Sequence, residues 1–248
     1  MGALVAAFSA SCARIWTILV RALDMGLVNR QPERQLQITA PRAALSRSSI
    51  LLDMCERVFV MTMLGSFIYR MLLHYSLTAN IADVLLVISE SLTVVFIMLR
   101  KPSATLSRRP TDWILALSGS ATPLLVAPSS VHPIALPAII FAIMVVGLFI
   151  QISAKIVLGR SFGMVAANRG VKVAGPYRFV RHPMYLGYEI GHVGFLLAMP
   201  TLTNAALYTL GLSIQIMRIF REEDVLKRDP AYRAFAGRVH YRLLPGVF

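Results

Sequence analysis

Acidic residues and cysteines are scarce in this chain. Twelve Asp and Glu stand against 25 Lys and Arg, a formal net charge of +13, and all charged residues together make up only 15% of the 248 positions. Two cysteines, Cys12 and Cys55, make no disulfide framework, and neither has a partner at metal-ligand spacing. No metal site is therefore expected. No internal repeat or low-complexity tract occurs. No nucleic-acid recognition module is visible, so the basic excess does not point to nucleic acid. Ser9-Ala-Ser-Cys12 lacks the basic leader and the apolar residue of a lipoprotein cleavage site.

What the chain has in abundance is apolar sequence. It is 56% hydrophobic, with a mean hydropathy of +0.66. A soluble domain of this size rarely reaches both values, so the expectation is an all-α, polytopic integral membrane protein. A span needs about 20 apolar residues. Six stretches qualify: 57–77, 81–99, 112–128, 134–153, 184–199 and 201–217. The last two are joined by Met199-Pro200-Thr201, which predicts a C-terminal helical hairpin. Residues 3 to 20 are apolar but carry Arg14, and are read as a helix lying on the membrane. Three regions follow: a surface segment over 1–50, four spans over 51–154, and a region over 155–248 where polar blocks alternate with short spans.

The basic residues orient the spans. They cluster before the first span (Arg21 to Arg47), between the second and third (Arg100 to Arg109), between the fourth and fifth (Lys155 to Arg181), and from Arg218 to Arg242. The turns near Ser76–Asn80, Pro128–Pro133 and Pro200 hold no Lys or Arg. This asymmetry places both termini in the cytoplasm, with the basic loops facing anionic headgroups. Arg70, towards the outer end of the first span, is expected to snorkel outward or to pair with Asp83.

Two polar blocks flank the hairpin. Before it stands Gly175-Pro176-Tyr177, then Arg181-His182-Pro183-Met-Tyr185-Leu-Gly187. Pro183 suits the first position of a helix, and a helix N-terminus offers N–H groups to an anion. Tyr177 and Tyr185 offer flat faces and hydroxyls. The plainer reading is a basic, aromatic interface belt. Within the fifth span Tyr185, Glu189 and His192 share one helical face, either as a pocket with an acid/base pair or as a buried packing bond. Glu90 reads as a packing contact. After the hairpin come Arg218 and the only acidic cluster in this basic region, Glu222-Glu223, and then a tail whose aromatics suit a short helix folding back over the site.

In order and spacing, these motifs resemble the isoprenylcysteine carboxyl methyltransferase family and the related phospholipid N-methyltransferases. The resemblance runs through Leu158-Gly-Arg-Ser-Phe162, Gly175-Pro-Tyr177, Arg181-His182-Pro-x-Tyr185-x-Gly187, Arg218-x-x-x-Glu222-Glu223-x-x-Leu226, Tyr232 and Arg242-x-x-Pro245, and covers about residues 155–248. It implies S-adenosylmethionine as methyl donor and a lipophilic acceptor that comes from the membrane. It implies that Gly175, Pro176, Tyr177, Arg181, His182, Pro183, Tyr185, Glu222 and Glu223 frame the cofactor on the cytoplasmic face, as in a bacterial inner membrane. It further implies that Arg218 positions an acceptor carboxylate. An amine or phenol acceptor would need a base, which Glu189 or His192 could be. The sterol reductases share a similar C-terminal block and use NADPH, but are longer. A scaffold kept as a non-catalytic binding module is the third class.

Overall fold

The computed structural model describes residues 47–99, 109–129, 131–163, 165 and 170–248. The proposed surface helix over 3–20, Arg21 to Arg42, Arg100 to Arg108 and Arg169 lie outside the described residues. Among those described, every long element is a helix and no strand occurs. The helices are α1 (Arg47–Thr78), α2 (Ile81–Leu99), α3 (Pro110–Ala121), α4 (Pro137–Leu158), α5 (Pro183–Ala198), α6 (Leu202–Leu226) and α7 (Pro230–Arg238).

The starts and stops follow local chemistry. α3, α4, α5 and α7 each open on a proline, whose missing N–H costs nothing in a first turn. Thr201 caps α6 by accepting from the Asn204 N–H at 3.1 Å, and Asp229 caps α7 by accepting from the Ala231 N–H at 2.8 Å. α4 stops at Gly159, whose φ of 52° lies in the left-handed region that favours glycine.

α2 and α4 are long and apolar enough to cross a membrane. The stretch expected as a third span is not one helix. α3 ends at Ala121 after 12 residues, and Thr122–Leu125 form a 3-10 turn around Pro123. Large apolar side chains nevertheless face outward along several helices, among them Leu77, Ile114, Ile156 and Leu202. An apolar surface of that extent suits lipid contact.

α4 and α5 pack more closely than any other pair of described helices. Glycines make this possible: a Cβ on Gly187 would lie 2.6 Å from the Gln151 amide nitrogen, and one on Gly147 would lie 2.7 Å from the Gly187 carbonyl oxygen. α3 is tied to α6 by the Arg221–Asp112 ion pair at 3.1 Å. Buried Asn204 closes the opposite end, donating to the Ala127 and Met199 carbonyls and accepting from the Ala127 N–H.

One expected charge pairing, Arg70 with Asp83, and one expected charge placement, Lys155 in a loop, are corrected. Asp83 pairs with His74 at 2.6 Å, while Arg70 donates to the Leu124 carbonyl oxygen and lies over the Phe67 ring. The turn between α1 and α2 brings His74 to Asp83 first. Lys155 is not a loop charge. α4 continues past it to Leu158, and its fully buried ammonium donates to Thr93 Oγ1 at 2.7 Å and Gln151 Oε1 at 3.0 Å, with the Tyr188 ring 4.9 Å away. A buried cation needs such partners.

Candidate active site

Two cavities lie side by side and share Met184 and Tyr185, in the first turn of α5. The first, about 780 Å³ counting its open mouth, is the more polar of the two. Tyr177, Arg181, His182, Glu222, Tyr232 and Phe235 line it. The second, about 760 Å³ on the same measure, is mainly apolar, with Phe59, Val60 and Leu64 of α1 on one wall. Its polar lining is Glu90, Glu189, His192, Gln215, Arg218 and a few hydroxyls.

The polar cavity brings together segments distant in sequence. Gly175, at φ 58°, starts a 3-10 turn through Arg178 that buries Tyr177. Neither Gly175 nor Pro176 lines the cavity; they aim Tyr177 into it. Pro183 likewise serves by opening α5. The tail pins the Arg181-His182 segment: their backbone N–H groups donate to the Tyr241 and Arg242 carbonyls at 2.9 and 2.8 Å. These two N–H groups are therefore not free for an anion. α7 packs Tyr232 and Phe235 against the cavity, as expected of a short helix folding back.

The two acids of the Glu-Glu pair do different things. Glu222 lines the cavity and accepts from the Tyr185 hydroxyl at 2.9 Å. Glu223 lines neither cavity. It is fully buried and gathers Arg181 at 2.8 Å, Arg242 at 3.1 Å, and Lys227 and His182 at 3.5 Å. Burial opposes its ionisation, but His182 first, then Arg181 and Arg242, outweigh that and hold its carboxyl at about 2. Expected beside Glu222 at the cofactor, it points away from the cavity that Glu222 lines, since consecutive residues of a helix point about 100° apart. Burial pushes the Tyr177 hydroxyl well above its usual range, helped by nearby Glu222, so it stays a hydrogen-bond donor.

Tyr185 forms the partition between the cavities. His182 stacks near one face, with ring centroids 5.6 Å apart and planes 3° apart, and the Arg218 guanidinium stands 5.2 Å from the ring centroid. Arg218 lies in the apolar cavity, also 3.3 Å from Ser120 Oγ. Tyr185, Glu189 and His192 do share that cavity's wall, with Glu189 Oε2 3.4 Å from His192 Nδ1. Glu90, expected as a packing contact, lines it too, because α2 packs against α4 beside α5. Tyr188 and Gln215 were not singled out from sequence. Their signal was present: each is three residues from a candidate on the same helix, Tyr185 and Arg218.

Residues 135–231 match the family model described as phospholipid methyltransferase. The matched stretch holds α4, α5, α6 and both polar blocks. It points to a membrane methyltransferase and agrees with the coarser part of the resemblance read from sequence. No curated protein matches the chain.

Proposed function

We propose that this protein is a multi-pass membrane enzyme that transfers a methyl group from S-adenosylmethionine to a lipophilic acceptor. The observation that carries the reading is the shared wall at Met184 and Tyr185. A polar cavity and an apolar one meet there, so two reactants of opposite solubility can be brought together. Such a transfer depends more on alignment than on proton movement, and alignment can supply several kcal/mol.

The polar cavity fits the donor. Arg181 and Tyr232, whose side chains interact with each other, both line it and present polar groups to a ligand. Arg181 suits the donor's carboxylate, Glu222 its ammonium or ribose hydroxyls, and Tyr177 and Phe235 its purine ring. When bound, the donor supplies an electrophilic methyl carbon on a sulfonium.

In the apolar cavity Arg218 holds an anionic group of the acceptor beside the shared wall. We read the accepting atom as an amine nitrogen of a lipid headgroup. An amine must shed a proton to be methylated, and Glu189, with His192 beside it, can receive it through an intervening water. Arg218 also disfavours the protonated amine. The phospholipid methyltransferase match supports the same choice. The second reading, a carboxylate held by the Arg218 fork, is favoured by the guanidinium's position at the partition. In both readings six spans place the termini and the polar cavity on the cytoplasmic side of a bacterial inner membrane.

Calorimetry on the purified protein separates the classes. S-adenosylmethionine binds and NADPH does not, and His182→Ala and Glu222→Ala each weaken the donor by about ten- to over a hundredfold. Unchanged affinity in both variants removes the cofactor assignment. Labelled methyl transferred to membrane lipids survives alkali if it is on nitrogen and is released as methanol if it is an ester.

A further inference from the structure

The apolar cavity holds more polar groups than a hydrocarbon site needs, and they are sorted by wall. On α6, Gln215 precedes Arg218 by three residues, about one helical turn away from the partition. Gln215 is 7% exposed, and its Nε2 has no hydrogen-bond partner among the described residues. An amide donor buried in this way is costly unless a ligand brings the acceptor. α5 and α6 run antiparallel, since Tyr185 meets Glu222 near the end of α6 while His192 stacks on Tyr208, with ring centroids 4.4 Å apart, nearer its beginning. Glu189, one turn past Tyr185, therefore stands at the depth of Gln215. Glu90 adds a second carboxylate from α2, within electrostatic reach of His192. At this depth one wall donates and the other accepts.

We propose that this level of the cavity recognises a secondary amide in the acceptor, about one helical turn, or roughly 5 Å, beyond the methyl-accepting group. The inference rests on the methyl-transfer reading for the position of that group. The amide carbonyl accepts from Gln215 Nε2, and the amide N–H donates to Glu189. An ester at the same place offers only lone pairs, which face the carboxylates unfavourably, and a plain alkyl chain leaves both walls unpaired. Hydrocarbon beyond the amide lies against Phe59, Val60 and Leu64.

The test uses the full chain in detergent and three single-chain primary amines of equal length, carrying an amide, an ester or only methylenes at the same position. Calorimetry should show the amide binding about tenfold or more tighter than the ester. Glu189→Met should erase the advantage of amide over ester, whereas Gln215→Met should weaken both by a similar factor, because both lose the donor to their carbonyl. Retained binding of S-adenosylmethionine reports that each variant is folded, and the wild-type comparison decides by itself if one is not. Equal affinity for amide and ester, an amide advantage that survives Glu189→Met, or no binding of either overturns the proposal. The readout is binding, so a protein that prefers the amide but transfers no methyl sinks the methyltransferase reading and upholds this one.

Discussion

Replacing Glu223 by Gln removes the one negative charge around which Arg181, Arg242, Lys227 and the His182 ring are arranged. Glu223 is fully buried, and Arg181, 2.8 Å away, is nearly so. Its carboxyl is lowered from 4.5 to about 2, which corresponds to about 3 kcal/mol of preference for the charged form in the folded protein. That agrees with the ~3–5 kcal/mol typical of breaking a buried ion pair and leaving its partner uncompensated. At about 2–4 °C per kcal/mol for a chain of this size, Glu223→Gln should lower the unfolding midpoint by about 6–12 °C near neutral pH. The sign of the pH dependence follows from the downward shift. The contribution of Glu223 is fully present above pH 4.5 and is lost as pH falls from 4.5 towards about 2. Thermal unfolding followed by circular dichroism should therefore show the gap between wild type and variant closing over that window. A midpoint within about 2 °C of wild type at neutral pH, against the 6–12 °C expected, would refute the reasoning, as would a gap that stays constant on acidification.

Arg218→Ala should lower turnover while S-adenosylmethionine still binds nearly normally in calorimetry, because Arg218 lines the apolar cavity and not the polar one; Lys should substitute poorly if the acceptor group is a carboxylate held by a bidentate fork. Gly187→Ala should destabilise by about 1–3 kcal/mol or more in thermal unfolding, since the new Cβ meets α4 backbone, whereas Gly191→Ala, with nothing within 4 Å of its Cβ, should be neutral or mildly stabilising. Reporter fusions at Asn80 and Pro200 should appear on the outer side of the membrane, and a cytoplasmic signal at either would overturn the six-span topology.

Composition and local pattern were enough to mark a helical, apolar chain and the two polar blocks that the fold brings to one cavity. Hydropathy marked the apolar segments, because burial in lipid demands a long unbroken run of one composition. Prolines at 110, 137, 183 and 230 and the glycine at 159 marked helix boundaries, because their backbone restrictions act locally. The i, i+4, i+7 spacing placed Tyr185, Glu189 and His192 on one face for the same local reason. Tertiary structure alone decided which polar residues face a cavity and which face each other. Glu222 and Glu223 are neighbours of identical chemistry, and only the arrival of Arg181 and Arg242 from distant segments makes one a lining group and the other a buried hub. Lys155 looked like a loop charge until α2 supplied Thr93 and α4 itself supplied Gln151 to hold it inside the bundle. Glu90, more than eighty residues from either polar block, joined the cavity only because α2 packs against α4 beside α5. The partition at Tyr185 is likewise a product of packing, since its two flanking groups, His182 and Arg218, come from opposite sides of the turn between α5 and α6. Local rules fix where a chain turns and which face is oily. Contacts between residues far apart in sequence depend on how whole helices pack, and that information is spread over every interface at once.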